Sequence, residues 1–540
     1  MTEPRESSTD PVDVETMSHE SVSSAAENTD RANHSKKPVL LTGLAGLVVV
    51  AAGFTWSGMQ TFGNRARAQR MIERAQEENL PRLWKHARLE LQEYLQFPHK
   101  SIALFSSDGD AQLLLVEALI HDESLTHEDA VKEALTQLRN IPSEAPQGAQ
   151  ARAKEGKLYL MMVHKLGMAE RALREAIKLN PEDEESHFLL WKLLELTGRA
   201  DWSEEIFWRV YDLTHPDRRP VRLRQWYMTQ FFAPTANLML ERQMGLLGTE
   251  EVPSSDNEYE RFDYFRKVEP TWPVAHAALA KWFLDETDPN FAKRMLDEAA
   301  EKLGDKRFED PFFVATLIRC LTDLGQYDEA RDAFKRWPTA KKGYDYYKWQ
   351  AVLLSELDDN DEQAAELFEQ ALAAWPGPVD WQTRHRKKTC LQKLQKHQEA
   401  QKELEKAKQI EKLMEREQHT QVRDALANLG TRDCYDTMVK FYTDLGMQRE
   451  AKAWQEQFSL VEKYGEPPVQ EIRPAEPALS PAVPFAPTGE QPPAGEQPPA
   501  GEQPPAGEQP PAGEQPPAGE QPPADEQPPA GEQPTKSVAP

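Results

Sequence analysis

Cysteine is scarce in this 540-residue sequence, and its placement excludes two kinds of small stabilised domain. Cys320, Cys390 and Cys434 all fall within helical patterns, far apart and without the spacing of metal ligands. Three scattered thiols cannot build a disulfide framework or a zinc site. We interpret them as small apolar core residues.

The motifs of the common enzyme classes are absent as well. The sequence contains no H-E-x-x-H, no G-x-S-x-G, no Walker loop and no dinucleotide fingerprint that follows a strand. Its acidic clusters at 181–186 and 357–362 occur where helices begin, and carboxylates there cap free backbone N–H groups. We therefore predict a protein that is not an enzyme and that has no catalytic residues, no metal site and no cofactor.

Positive charge is in deficit. Lysine and arginine number 64 against 90 aspartates and glutamates, which gives a formal net charge of −26. Proteins that bind phosphate backbones need a surplus of lysine and arginine. Nucleic acid is therefore excluded as the main partner, although local basic patches remain compatible with this balance.

Both ends of the sequence have compositions that cannot form a core. Residues 1–37 are rich in serine, threonine and acidic residues, and residues 465–540 contain six copies of GEQPPA, one DEQPPA and a truncated GEQP. Such segments bury too little apolar surface to offset the entropy lost on ordering. We predict a disordered acidic N-terminal tail and a disordered Pro-rich C-terminal tail, the latter an extended, hydrated spacer.

One long hydrophobic run is present, PVLLTGLAGLVVVAAGFTWSGM, at 38–59. Its 22 residues carry no charge, and a helix of about 20 residues crosses the core of a bilayer. The stretch 66–68 matches the small-x-small rule of a cleaved signal peptide. However, the run is longer than a signal core and the region before it is long. We favour a retained, single-pass transmembrane helix over a signal peptide.

The orientation of this helix is weakly determined, because the positive charges on its two flanks are almost balanced. We expect the N-terminus in the cytoplasm and the rest of the chain outside, the usual result for a first hydrophobic segment that is not cleaved. Two small-xxx-small pairs, Thr42 with Gly46 and Gly53 with Ser57, are compatible with packing of two such helices and hence with a homo-oligomer.

Between these segments the pattern is helical, and one stretch shows its unit. In residues 311–338 a first helix, PFFVATLIRCLTD, is joined by the turn LGQ to a second helix, YDEARDAFKRWP. Ala330 and Phe334 lie four residues apart on the second helix and therefore on one face. The small alanine lets two helices approach closely, the ring fills the space beside it, and Pro338 ends the helix.

The unit recurs along the chain, for example as NDEQAAELFEQALAAWP, 34 residues further on. Two helices, a turn, a small residue and an aromatic residue at this period resemble the tetratricopeptide repeat (TPR). The resemblance covers residues 65–464, but the step from Ala400 to Ala451 is 51 residues, and residues 217–268 fit poorly. The predicted packing positions are Ala130, Ala169, Ala292, Gly325, Tyr327, Ala330, Phe334, Ala364, Phe368, Ala400, Gly446 and Ala451.

The resemblance implies an all-α fold, a TPR-like right-handed α-solenoid of helical hairpins, preceded by the transmembrane helix and followed by the Pro-rich tail. In members of this family the first helices of the hairpins line a groove that holds a peptide or a helix of another protein. We therefore predict a membrane-anchored scaffold for protein–protein interaction. The alternative is a structural or oligomeric subunit of a membrane or envelope complex, with the groove filled by self-contacts.

Residues 381–398 are a candidate docking surface, because they concentrate positive charge within an acidic array. Such a surface suits an acidic peptide or a terminal carboxylate. The alternative is an ordinary exposed face balanced by neighbouring glutamates. The candidate partner-binding residues here are Arg384, Arg386, Lys387 and Lys388.

A second candidate is the aromatic stretch WYMTQFF, which contains Trp226 and Tyr227. These two side chains are suited either to line an apolar groove or to pack in the core of an irregular repeat. Neither stretch identifies the partner.

Overall fold

The computed structural model describes residues 63–96, 108–231, 258–338 and 340–464. Across these ranges every regular element is a helix, and consecutive helices pair into hairpins that stack on their neighbours. The helices before residue 232 are α1 (63–78), α2 (Pro81–Gln96), α3 (Asp108–His121), α4 (His127–Arg139), α5 (Gly148–Leu158), α6 (Leu166–Leu179), α7 (Glu184–Leu196), α8 (Glu204–Leu213) and α9 (Arg219–Phe231).

The helices after residue 257 continue the same arrangement. They are α10 (Glu258–Val268), α11 (Pro273–Asp285), α12 (Pro289–Leu303), α13 (Pro311–Asp323), α14 (Tyr327–Lys335), α15 (Tyr344–Leu357), α16 (Asp361–Ala373), α17 (Trp381–Lys393), α18 (His397–Leu413), α19 (Arg416–Ala427), α20 (Arg432–Leu445) and α21 (Gln448–Tyr464).

The predicted transmembrane helix at 38–59 and the predicted tails at 1–37 and 465–540 lie outside the described residues. Among the helices of the four described ranges, none combines the length and the apolar character that crossing a bilayer requires.

The turn between the two helices of a hairpin has a recurring geometry. Gly325 adopts a left-handed conformation (φ 73°), and the next N–H, of Gln326, donates to the carbonyl oxygen of Leu321 at 2.8 Å. This is the usual way in which a helix end satisfies its free carbonyls. Thr287 (φ 62°) and Gln395 (φ 61°) adopt the same conformation in other hairpins. The turn is therefore kept even where glycine is replaced.

Small residues and aromatic rings on the second helices join each hairpin to the next. Ala330 and Ala364 are completely buried, as is Phe368. Phe334 stacks on Tyr346 of the following hairpin, with ring centroids 5.2 Å apart and planes 24° from parallel. Of the other predicted packing positions, Ala130, Ala169, Ala292, Ala400 and Ala451 are buried, Tyr327 is half-buried, and Gly325 and Gly446 are exposed turn residues.

The hairpins do not form a simple row. Residues 197–231, here called the central segment, comprise the turn after α7 together with α8 and α9. They pack against the hairpins of residues 273–464, here called the C-terminal hairpins. One aromatic cluster contains rings from both, including Trp226, Trp375 and Tyr442. The last hairpin therefore lies against helices that come much earlier in the chain.

Candidate protein-interaction surfaces

Charged side chains connect the first helices of successive hairpins in the N-terminal part. Lys154 Nζ on α5 bonds to Glu117 Oε2 on α3 at 3.0 Å, and Lys157 Nζ bonds to Glu185 Oε1 on α7 at 2.6 Å. The side chains of Lys157 and Glu185 are 42% and 60% exposed. These four residues and His121 are here called the N-terminal charged face. It crosses three hairpins and is half-buried at Glu117, Lys154 and His121 and most exposed at Lys157 and Glu185.

The environment of Glu117 shows that this face is ordered. The His121 ring bonds to it, and with the ammonium group of Lys154 this holds the pKa of the Glu117 carboxyl at about 2. The indole of Trp84 stacks on His121 with ring centroids 4.5 Å apart. A carboxylate bonded on two sides, on one of them to a histidine that is itself stacked on an indole, has little freedom to move. The face is therefore a fixed pattern of charges.

The corresponding face of the C-terminal hairpins is covered by the central segment. Trp202 lies edge-on to Phe312 of α13, with ring centroids 6.3 Å apart, and also contacts the apolar cluster of the next hairpin. Asp201 beside it lies near Lys281 of α11 and Lys348 of α15. Residues 200–202 thus lie against the first helices of three consecutive hairpins.

The charges on this covered face are largely paired with one another. Arg319 Nη1 bonds to Asp285 Oδ1 at 2.7 Å, and Lys348 Nζ bonds to Asp380 Oδ2 at 3.1 Å. Asp345 differs, because burial and the neighbouring Asp201 raise its pKa to about 6. A carboxyl with this pKa titrates close to physiological pH.

Further along, the central segment is held by aromatic packing and by hydrogen bonds to the last hairpin. Trp226 Nε1 and Gln230 Nε2 both donate to Glu450 Oε1, at 3.3 and 3.2 Å. Tyr442 Oη in turn donates to Gln230 Oε1 at 2.8 Å. Glu450 is only 4% exposed, and burial raises its pKa. The contact therefore includes a buried carboxyl that forms no ion pair within the described residues.

The structure places Trp226 and Tyr227 inside this contact. Both side chains are completely buried. Trp226 packs between Phe207 and Trp375, and Tyr227 Oη lies 2.9 Å from His419 Nδ1. A partner cannot reach either ring without separating the central segment from the last hairpin. Of the two interpretations from sequence, core packing matches their position.

The basic stretch 381–398 comprises α17, the turn after it and the first residues of α18, and its charges are largely neutralised by neighbouring carboxylates. Arg384 and Lys387 both bond to the buried carboxylate of Glu403, at 3.2 and 3.0 Å, and Lys387 also bonds to Glu369. Arg386 bonds to Glu356 at 3.4 Å. Acidic and basic side chains together line a depression of about 350 Å³ beside Lys387. Lys388 is partly exposed.

The stretch 381–398 does not itself contain the carboxylates that neutralise it. Glu369 and Glu403 lie on neighbouring helices, 18 and 16 residues from Lys387. A charge count along a single helix therefore overstates how much positive charge the surface offers.

The cysteines lie in the core. Cys320, Cys390 and Cys434 are buried thiols without a disulfide bond, and burial raises their pKa values to about 12, 12 and 11. The described part of the chain brings no three histidine, cysteine or acidic side chains into an arrangement suited to a metal ion.

Comparisons with known proteins give distant structural likeness alone. No family model matches the chain, and no curated protein matches it significantly. Among solved structures, it is similar to the APC/C hetero-tetramer Cut9-Hcn1, with 13% identity, a TM-score of 0.29 and 71% of each chain covered. It is also similar to the P58(IPK) TPR domain, with 16% identity, a TM-score of 0.24, and 66% of this chain and 98% of that one covered. These similarities are too distant to assign a family. The TPR-like arrangement of stacked hairpins is instead supported by the helix pairs, their left-handed turns and their buried alanines.

Proposed function

We propose that the protein is a membrane-anchored scaffold that recruits a peptide or a helix of another protein on its helical hairpins. The observation that carries the proposal is the N-terminal charged face, which is held by hydrogen bonds, partly exposed and continuous over three hairpins. Stacked hairpins hold such a face rigid, so an extended partner can bind it without ordering the scaffold. The proposed role is non-catalytic.

The anchor in this proposal is the hydrophobic run at 38–59, with the hairpins on the outer side of the membrane. Protease treatment of sealed, right-side-out vesicles tests this orientation. Digestion of residues 65–464 in intact vesicles is the expected result. Digestion only after the vesicles are opened would place the hairpins in the cytoplasm.

Site-specific photo-crosslinking in the full-length protein tests the binding face. A crosslinking amino acid replaces Lys157, which lies on the charged face, or Lys178, which is exposed on the second helix α6. We expect a discrete partner adduct from position 157 and none from 178. The captured protein must then bind purified scaffold saturably, and K154E/K157E must weaken that binding at least tenfold. Equal adducts from both positions would contradict the proposal.

The second candidate is a structural or oligomeric subunit. The observation that favours it is that the central segment already covers the first-helix face of the C-terminal hairpins, so that this face is engaged in self-contacts. Crosslinks from position 157 that join two copies of the chain, together with concentration-dependent sizing of the purified protein, would support this function instead.

A further inference from the structure

The contact between the central segment and the C-terminal hairpins brings together carboxylates of like charge at two places. Asp201 of the central segment lies near Asp345 of α15, and Glu204 of α8 lies near Glu450 of α21. Within the described residues, none of these four carboxylates forms an ion pair. Aromatic packing therefore closes a contact in which burial disfavours the charged forms of these carboxyls.

We propose that this contact is a pH-sensitive clasp, closed by aromatic packing and loosened by the charges of Asp201, Asp345, Glu204 and Glu450. When open, it would expose the first-helix face of the C-terminal hairpins. The proposal does not depend on the partner or on the membrane anchor proposed above.

Nearby cations do not cancel the first pair of charges. Lys281 and Lys348 both lie near Asp201, but Lys281 bonds to Asp285 at 2.9 Å and Lys348 bonds to Asp380 at 3.1 Å. Each lysine is thus matched by a carboxylate of its own. Other charged groups on this face, among the described residues, include Arg319 and Asp323 of α13 and Arg386 of α17. Tyr344 lies beside Asp380 and Asp345, and burial raises the pKa of its hydroxyl.

The second pair is surrounded mainly by neutral groups. Glu450 accepts hydrogen bonds from Trp226 and Gln230, and Tyr442 lies nearby. Among the described residues the adjacent cation is Arg449, whose guanidinium group lies 4.3 Å from the ring centroid of Trp208. It moderates the repulsion between Glu204 and Glu450, but burial still raises the pKa of both carboxyls.

The direction of the pH effect follows from these pKa values. A carboxyl whose pKa is higher in the closed state binds its proton more tightly on closing. The pKa of Asp345 is raised from 3.8 to about 6, and those of the other three carboxyls are raised too. Closure is therefore strengthened as the pH falls through about 6 and weakened as it rises.

One imidazole acts in the opposite sense. His419 lies in the same contact, bonded to Tyr227, and burial lowers its pKa. Its protonation at more acidic pH therefore works against closure. The carboxyls and the imidazole together predict that the clasp is tightest in mildly acidic solution.

Hydrogen exchange of the full-length protein in detergent micelles tests the clasp. Exchange is measured at pH 5.5 and pH 7.5 and corrected for the intrinsic rate, with peptides of α4 as internal reference. We expect protection of 204–231 and 432–464 to be about fourfold lower at pH 7.5, the change that a carboxyl with a pKa of about 6 gives between these two pH values. The double variant D345N/E450Q should gain protection at pH 7.5 and lose most of this pH dependence.

Asp358→Asn is the matched control, because Asp358 is 47% exposed and bonds to Arg331 outside the contact. It should keep the wild-type pH dependence. If D345N/E450Q does not fold, Asp201→Asn removes one charge from the other side, and a reduced pH dependence is again expected. The proposal is overturned if wild-type protection is independent of pH, if the charge-removing variant behaves like the wild type, or if the control loses the pH dependence equally.

Discussion

The indole of Trp226 stacks on the phenyl ring of Phe207, with centroids 4.4 Å apart and planes 6° from parallel. The stack joins α8 to α9, and the indole also contacts Trp375, with ring centroids 5.9 Å apart. Aromatic pairs in such arrangements stabilise a contact beyond the apolar area that they bury. This stack is the centre of the contact between the central segment and the C-terminal hairpins.

Replacement of Trp226 by alanine should weaken both the core and the contact between the central segment and the C-terminal hairpins. The change opens a cavity and removes a hydrogen bond to buried Glu450, so we expect a loss of about 3–5 kcal/mol in the free energy of unfolding. Denaturant unfolding measures the loss, and hydrogen exchange should show α20 and α21 less protected. Trp282→Ala is the control, because Trp282 is partly exposed and its ring contacts Tyr259 and Phe283 instead of the stack of Trp226 on Phe207. Equal effects of the two changes on α20 and α21 would contradict the assignment.

A glycine inside α5 should not tolerate the alanine that usually stabilises helices. A Cβ atom on Gly156 would lie 2.6 Å from Leu173 Cγ, and Leu173 is completely buried. We expect Gly156→Ala to destabilise the protein by about 1–3 kcal/mol, because the helices must move apart. In Gly109→Ala the new Cβ would meet the end of the flexible Gln147 side chain. That variant should unfold within about 1 kcal/mol of the wild type, and the opposite ranking in thermal unfolding would argue against close packing of α5 on α6.

The left-handed turn residues predict a stabilising change. Thr287 adopts φ 62°, which a β-branched side chain disfavours, whereas Gly325 adopts φ 73° at the same place in its own hairpin. We expect Thr287→Gly to raise the free energy of unfolding by up to about 1 kcal/mol, since strain of about 1–2 kcal/mol is relieved against a smaller entropic cost. Gly325→Ala should lower it by about 1 kcal/mol. Opposite signs in denaturant titrations would show that these turns do not share a conformation.

Glu117 should contribute stability with a defined pH dependence. Its pKa is lowered from 4.5 to about 2, so its contribution is complete above its ordinary pKa and is lost as the pH falls towards 2. We expect Glu117→Gln to cost about 1.5–3 kcal/mol at pH 7, the range for hydrogen bonds to charged groups, and much less at pH 2. Glu185→Gln should change stability by about 0.5 kcal/mol or less, because this carboxylate is 60% exposed. Unfolding curves recorded between pH 2 and pH 7 compare the two variants. A loss of stability in Glu117→Gln that does not change with pH would contradict the lowered pKa of Glu117.

Much of the local architecture could be predicted from sequence, because it depends on neighbours in the chain. Alanine and an aromatic ring four residues apart predict one helix face, and Ala364 and Phe368 are indeed both buried. Other turns were harder to predict from sequence. Thr287 and Gln395 take the left-handed conformation without the glycine that makes it recognisable, so the turn signal was incomplete.

The contact between the central segment and the C-terminal hairpins could not be predicted from sequence, because it joins residues that lie far apart in the chain. Trp226 and Tyr227 stood out as aromatic residues in a stretch that fitted the repeat poorly. Nothing near them in sequence points to Glu450 or His419, which lie 224 and 192 residues away. The same limit applies to Lys387, whose charge is balanced by carboxylates on adjacent helices.

The return of the last hairpin to the central segment has a consequence for how the chain folds. Tyr442 bonds to Gln230 across 212 residues, and Gln457 bonds to Tyr211 across 246. In an open row of repeats each unit meets only its neighbours and an end can melt alone. Here the end unit is bound to the middle, so the entropy of closing a very long loop must be overcome late in folding. We therefore expect that the aromatic faces of α8 and α9 that meet the last hairpin stay uncovered during synthesis until residue 464 has left the ribosome, which leaves an apolar surface for a chaperone to bind in that interval.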